Sequence, residues 1–147
     1  MKDGNTWKLW FDGQTDLADP AESFLAESTQ AAPTHFTIIH KYNDVSGFPG
    51  FWEPDVHKRS DNSYAAVVNR GFNSIYYGTS TDGVHFTFQL LLSVTDPSVG
   101  SGYVFIDNPA LIVNNADEIV GVVYGKSKHP SLPIDHEIGI TLFEDPL

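Results

Sequence analysis

Cysteine is absent from these 147 residues, which excludes a disulfide framework, thiolate chemistry and any zinc site built on cysteine. Cations are scarce as well. Eight Lys and Arg stand against nineteen Asp and Glu, a formal charge of −11. So acidic a chain repels nucleic acid and anionic membrane surfaces, and neither is an expected partner, whereas a neutral ligand such as a sugar stays open. No apolar run reaches the length needed to span a bilayer. Met1-Lys2-Asp3-Gly4-Asn5 has none of the apolar segment behind it that marks a secretory leader, so a soluble, cytoplasmic protein is expected. Gly100-Ser101-Gly102 lacks the Lys and following helix of a phosphate loop, and no cofactor is expected. The histidines, His35, His40, His57, His85, His129 and His136, show no metal-ligand spacing, and no metal is expected either.

What the chain has is aromatic and β-branched residues, with ten Phe, six Tyr and three Trp set between short turn signals. Asp12-Gly13, Asp19-Pro20, Phe48-Pro49-Gly50, Arg70-Gly71, Asp82-Gly83, Asp96-Pro97 and Asn114-Asn115 punctuate the sequence into about ten strands. One complete unit runs from Trp52-Glu53-Pro54-Asp55-Val56, through Tyr64-Ala65-Ala66-Val67-Val68 and Ser74-Ile75-Tyr76-Tyr77-Gly78, to Asp82-Gly83-Val84-His85-Phe86-Thr87. Pieces of it recur on both sides about fifty residues away, from Asp3 to Gly13, Phe24 to Ser28 and Thr34 to Thr37, and again from Ile106 to Val113, Glu118 to Gly125 and Glu137 to Leu142. An all-β repeat of that length predicts a propeller blade. The expected fold is therefore all-β, a partial β-propeller of about two and a half to three blades built of antiparallel sheets. Within a single domain over 1–147, residues 1–45 and 104–147 are incomplete blades and 51–95 a complete one. Leu17 to Gln30 also reads as a short helix capped by Asp16, but the repeat favours a strand over Phe24 to Ser28.

Ser80-Thr81-Asp82-Gly83-Val84-His85-Phe86-Thr87, Trp52-Glu53-Pro54-Asp55-Val56 and Ile106-Asp107-Asn108-Pro109 together resemble blade segments of the five-bladed propeller glycosidases. These are the arabinanase and β-xylosidase group of glycoside hydrolase family 43, with the related invertase-type enzymes. The resemblance implies a site of three carboxylates: a general base on the first blade, a pKa-modulating Asp on the third and a general acid Glu on the fourth, with the base and acid flanking the sugar. Asp107 stands where the modulator would be. On that register the base strand would precede Met1 and the acid strand would follow Leu147, so catalysis is not expected of this chain. Glu53 takes the place of the usual Ala of this motif. It reads as a replacement acid or base, or as a solvated carboxylate.

Asp55 and Asp107 fall near the starts of inner strands. They could bind sugar hydroxyls there, or cap turns by accepting backbone N–H groups. Trp52 offers a flat apolar face to a pyranose, with Phe48 and Phe51 as walls, and inter-blade packing explains the same cluster. His57 and Asn108 follow closely enough to be channel residues. Asp117-Glu118 reads as a cation-holding pair or a solvated turn. The functional expectation is a glycosidase-like propeller protein without catalysis that binds carbohydrate. Its rivals are an interaction protein that assembles without sugar and a glycoside hydrolase whose site is shared between subunits. Two incomplete blades leave strand edges near Trp7 and Ile138, and the Leu90-Leu91-Leu92 run adds an apolar surface, so a homodimer is expected.

Overall fold

The computed structural model describes residues 1–13, 22–42, 52–129 and 136–147. Among these there are eleven β-strands and no α-helix: β1 (Lys2–Asp3), β2 (Thr6–Gly13), β3 (Glu22–Ser28), β4 (Thr37–Lys41), β5 (Trp52–Lys58), β6 (Tyr64–Arg70), β7 (Ser74–Ser80), β8 (Thr87–Ser93), β9 (Phe105–Val113), β10 (Ile119–Ser127) and β11 (Glu137–Leu142). They make three sheets, ordered β1-β2-β3-β4, β5-β6-β7-β8 and β11-β10-β9. The strand pairings within them are antiparallel. The chain divides into two compact units, Met1–Trp52 and Glu53–Leu147. The turn signals at Asp19-Pro20 and Phe48-Pro49-Gly50, and the aromatics Phe48 and Phe51, lie outside the described residues.

In the first unit two of the expected strands form as β2 and β3, the strand expected over Thr34 to Thr37 instead starts at Thr37 as β4, and the two-residue β1 folds back on β2 through Lys2↔Trp7. Ala and Glu give residues 22–28 some helical propensity, but β3 pairs with β2 on one side and β4 on the other, and its Phe24, Leu25 and Ala26 are buried in succession. A central strand buried on both faces outweighs the few tenths of a kcal/mol per residue that propensity supplies. Phe11 stacks on Phe24, and the Trp10 indole N–H donates to the Tyr42 hydroxyl at 3.2 Å. Lys8 is buried with its ammonium between Asp3 at 3.5 Å and Glu27 at 3.9 Å.

In the second unit β6 is the most buried strand, every residue from Tyr64 to Asn69 being inside. Two sheet faces pack on one another through Ala65 and Val67 of β6, Ile75 and Tyr77 of β7, Leu92 of β8, Ile106 of β9 and Ile119, Val122 and Tyr124 of β10, with Val99 from the intervening loop. Full burial of one such aliphatic side chain contributes about 1.5–3 kcal/mol. Leu92 belongs to this core and Leu91 packs against it, so the apolar surface expected of Leu90-Leu91-Leu92 reduces to Leu90, 57% exposed. The Asp82-Gly83 turn forms as its residues dictate: Gly83 takes φ +72° and the Asp82 carboxylate accepts the N–H groups of Val84 and His85, each at 2.8 Å. The His85 imidazole beside Asp82, reinforced by these N–H groups, holds that carboxyl well below the usual range.

Candidate functional site

Glu53, Asp55 and His57 alternate along β5, so the pleat sends all three to the same side. Each reaches β9 or the turn that follows it. The Asn108 N–H donates to Glu53 Oε2 at 2.7 Å, and the Leu111 N–H donates to Asp55 Oδ2 at 2.8 Å. Farther along, His57 Nε2 lies 2.6 Å from Asp117 Oδ1, and the Ser60 N–H donates to Asp117 Oδ2. The contacts climb both strands together, so β5 and β9 run side by side in the same direction. Leu111 pairs with Val122 on β10, but its N–H points away from that strand, and Asp55 satisfies it. Asp55 thus accepts a backbone N–H from a neighbouring strand rather than capping a turn.

The register of β9 against β10 shifts between Val123 and Gly125, so Asp107 to Ala110 spans three steps on one strand against two on the other. This is a β-bulge, and it sits at Asn108-Pro109. Asn108 adopts φ +46° and Glu53, also followed by proline, adopts φ +55°. Two non-glycine residues in the left-handed region, at matching places in a sequence repeat, are strained by about 1–3 kcal/mol each, and such strain gathers at ligand sites. Bulges re-aim the side chains beside them. Here the re-aimed residue is Asp107. It is 5% exposed, and its Oδ1 has no hydrogen-bond partner. The carboxylate lies over the bare Cα of Gly125, so close that a Cβ there would be well under 3.0 Å from Oδ1, and the same Cβ would lie 3.6 Å from His136 Nδ1. The His136 ring in turn leans on Phe105, centroids 5.7 Å apart.

The sequence-derived residues therefore divide. Glu53 and Asp55 of β5 meet β9 through the backbone N–H groups of Asn108 and Leu111, whereas the Asp107 carboxylate lies over Gly125 of β10. His57 is drawn off to Asp117 at the far end, where the Ser60 N–H and the His57 imidazole lower the Asp117 carboxyl to about 2. Trp52 begins β5, but its side chain lies outside the description. Sequence reading missed Gly125, the floor under Asp107, and Asn69, fully buried with neither side-chain polar atom paired. An asparagine ending the otherwise apolar run Tyr64-Ala65-Ala66-Val67-Val68 was the available signal for the latter. Among the described residues no three His, Asp or Glu side chains gather as a metal centre would require. Comparison with models of known protein families, with curated proteins and with solved structures finds no match.

Proposed function

We propose that this protein is a glycosidase-like partial β-propeller that binds a neutral carbohydrate at the β5–β9 edge and does not hydrolyse it. The observation that carries the reading is the buried Asp107 carboxylate with an unsatisfied oxygen. Leaving such an acceptor unmade costs about 1–3 kcal/mol or more, and a ligand hydroxyl would recover it once the carboxylate turns off Gly125 to meet it. The acidity of the chain disfavours an anionic ligand and leaves polyhydroxyl compounds open. The side-by-side, same-direction course of β5 and β9 at the edges of two face-packed sheets supports the propeller reading, in which inner strands line a channel.

Hydrolysis with inversion needs an acid and a base about 6.5–9.5 Å apart with water between them. Glu53 Oε2 and Asp55 Oδ2 instead hold backbone N–H groups of β9, which supports binding over turnover. A glycan array followed by titration of the hits tests the reading. We expect arabino- or xylo-oligosaccharide binding that Asp107→Ala weakens at least tenfold, with no release of nitrophenol from aryl arabinosides or xylosides. Turnover abolished by Asp107→Asn and by Glu53→Gln would instead make the chain an enzyme.

A further inference from the structure

β11 is the last strand of its sheet among the described residues. The Phe143 N–H donates to Val120 O at 2.9 Å, and because bonded pairs in an antiparallel ladder alternate, Glu137, Gly139 and Thr141 turn their backbone groups to β10. Ile138, Ile140 and Leu142 therefore turn theirs outward. The same three residues carry apolar side chains that are 77%, 60% and 68% exposed. Their neighbours on that face of β10 are Gly125, Val123 and Gly121, two of which have no side chain to cover them. The opposite edge of the sheet, β9, is blunted by Glu53 and Asp55, which take up its N–H groups. A long apolar edge with open N–H and C=O groups is a template for another strand.

We infer that β11 pairs antiparallel with β11 of a second copy of this chain about a two-fold axis through Ile140. Self-pairing must match outward-facing residues with one another, which restricts it to even-numbered partners. Centring on Ile140 uses all of them: Ile140 meets Ile140, Ile138 meets Leu142 on either side, and about six new backbone hydrogen bonds form. Apolar side chains then meet apolar side chains on one face of a continuous six-stranded sheet. The charge pattern selects the same register. Glu137 is the only charged residue in β11 and falls opposite Phe143, so the two Glu137 carboxylates lie at opposite ends of the junction. Sliding by two residues, which puts Thr141 on the axis, would set Glu144 opposite Ile138 and leave both copies of Ile138 without an apolar partner. An unrelated strand has no such matched pattern to offer, whereas a second copy offers it by symmetry. The apolar surface gained is a few hundred Å², below the roughly 800 Å² per partner of a standard interface, so association at tens of micromolar is expected.

The absence of cysteine makes the test direct. In the proposed register the two Ile140 Cα atoms stand about 5.5 Å apart, within the range a disulfide spans. Ile140→Cys, oxidised at tens of micromolar, should run as a covalent dimer without reductant, while Leu90→Cys on the outer strand β8 should not. In sedimentation equilibrium the unmodified chain should approach twice the 16.2 kDa of one copy, and Ile138→Lys should weaken the association at least tenfold with an unchanged far-UV circular dichroism spectrum. A monomer at tens of micromolar, or Ile140→Cys cross-linking no faster than Leu90→Cys, overturns the inference.

Discussion

Gly125→Ala probes the heart of the candidate site. The added methyl carbon would stand well under 3.0 Å from Asp107 Oδ1, so the buried carboxylate must move. Gly125 is not among the residues with positive φ, and an alanine with no steric conflict would stabilise the fold by about 0.4–1 kcal/mol through the unfolded chain. Overpacking costs about 1–3 kcal/mol. The net expectation is a loss of about 1–2 kcal/mol, which for a chain of this size lowers Tm by roughly 2–8 °C. In an Asp107→Ala background the conflict is gone, and the same substitution should be neutral or stabilising. Calorimetric melts of the four proteins of this cycle give the coupling directly. Equal effects of Gly125→Ala in the two backgrounds would refute the placement of the carboxylate over that glycine.

Further outcomes follow from the same geometry. The Asp117 carboxyl lies at about 2 in the fold against an ordinary 3.8. Its contribution to stability is therefore present above the ordinary value and is lost as pH falls through the lowered one. Melts recorded from about pH 4 down to about pH 2 should show a smaller fall in Tm for Asp117→Asn than for the parent, and identical slopes would contradict this. Gly139→Ala would drive a Cβ into the buried Tyr124 ring, and Gly78→Ala would drive one into the half-buried Phe88 ring. Phe88 has room to swing and Tyr124 has not, so urea titrations should show Gly139→Ala as the more costly, by about 1–3 kcal/mol overall. Ile75→Ala, at a fully buried position between two sheets, should cost about 2–5 kcal/mol by the same measurement.

The strands were legible where residue type alone sets them. Tyr64-Ala65-Ala66-Val67-Val68 is apolar at every position because both its faces are covered, and Asp82-Gly83 forms its turn from local chemistry that needs no tertiary context. The helix alternative at Leu17 to Gln30 arises because Ala and Glu speak for propensity, while pairing on both sides of β3 is a long-range fact that no local window contains. At the site, the repeat brings Glu53, Asp55, Asp107 and Asn108 forward as a group, since Glu53-Pro54 and Asn108-Pro109 mark the same strained backbone in two strands. Their partners were not legible. Which backbone N–H each carboxylate meets depends on how two sheets are staggered, and the bulge that turns Asp107 onto Gly125 is a register event. Spacing alone groups His57 with Asp55, but at the end of the strand the Asp117 turn captures it.

The most direct test of the account is calorimetric titration of the unmodified chain and of Asp107→Ala with a neutral oligosaccharide chosen from the glycan array. We expect saturable, salt-insensitive binding to the unmodified chain that falls at least tenfold on loss of the Asp107 carboxylate, with the fold intact by circular dichroism. Equal binding by the two proteins, or no glycan bound by the unmodified chain at millimolar concentration, would contradict it.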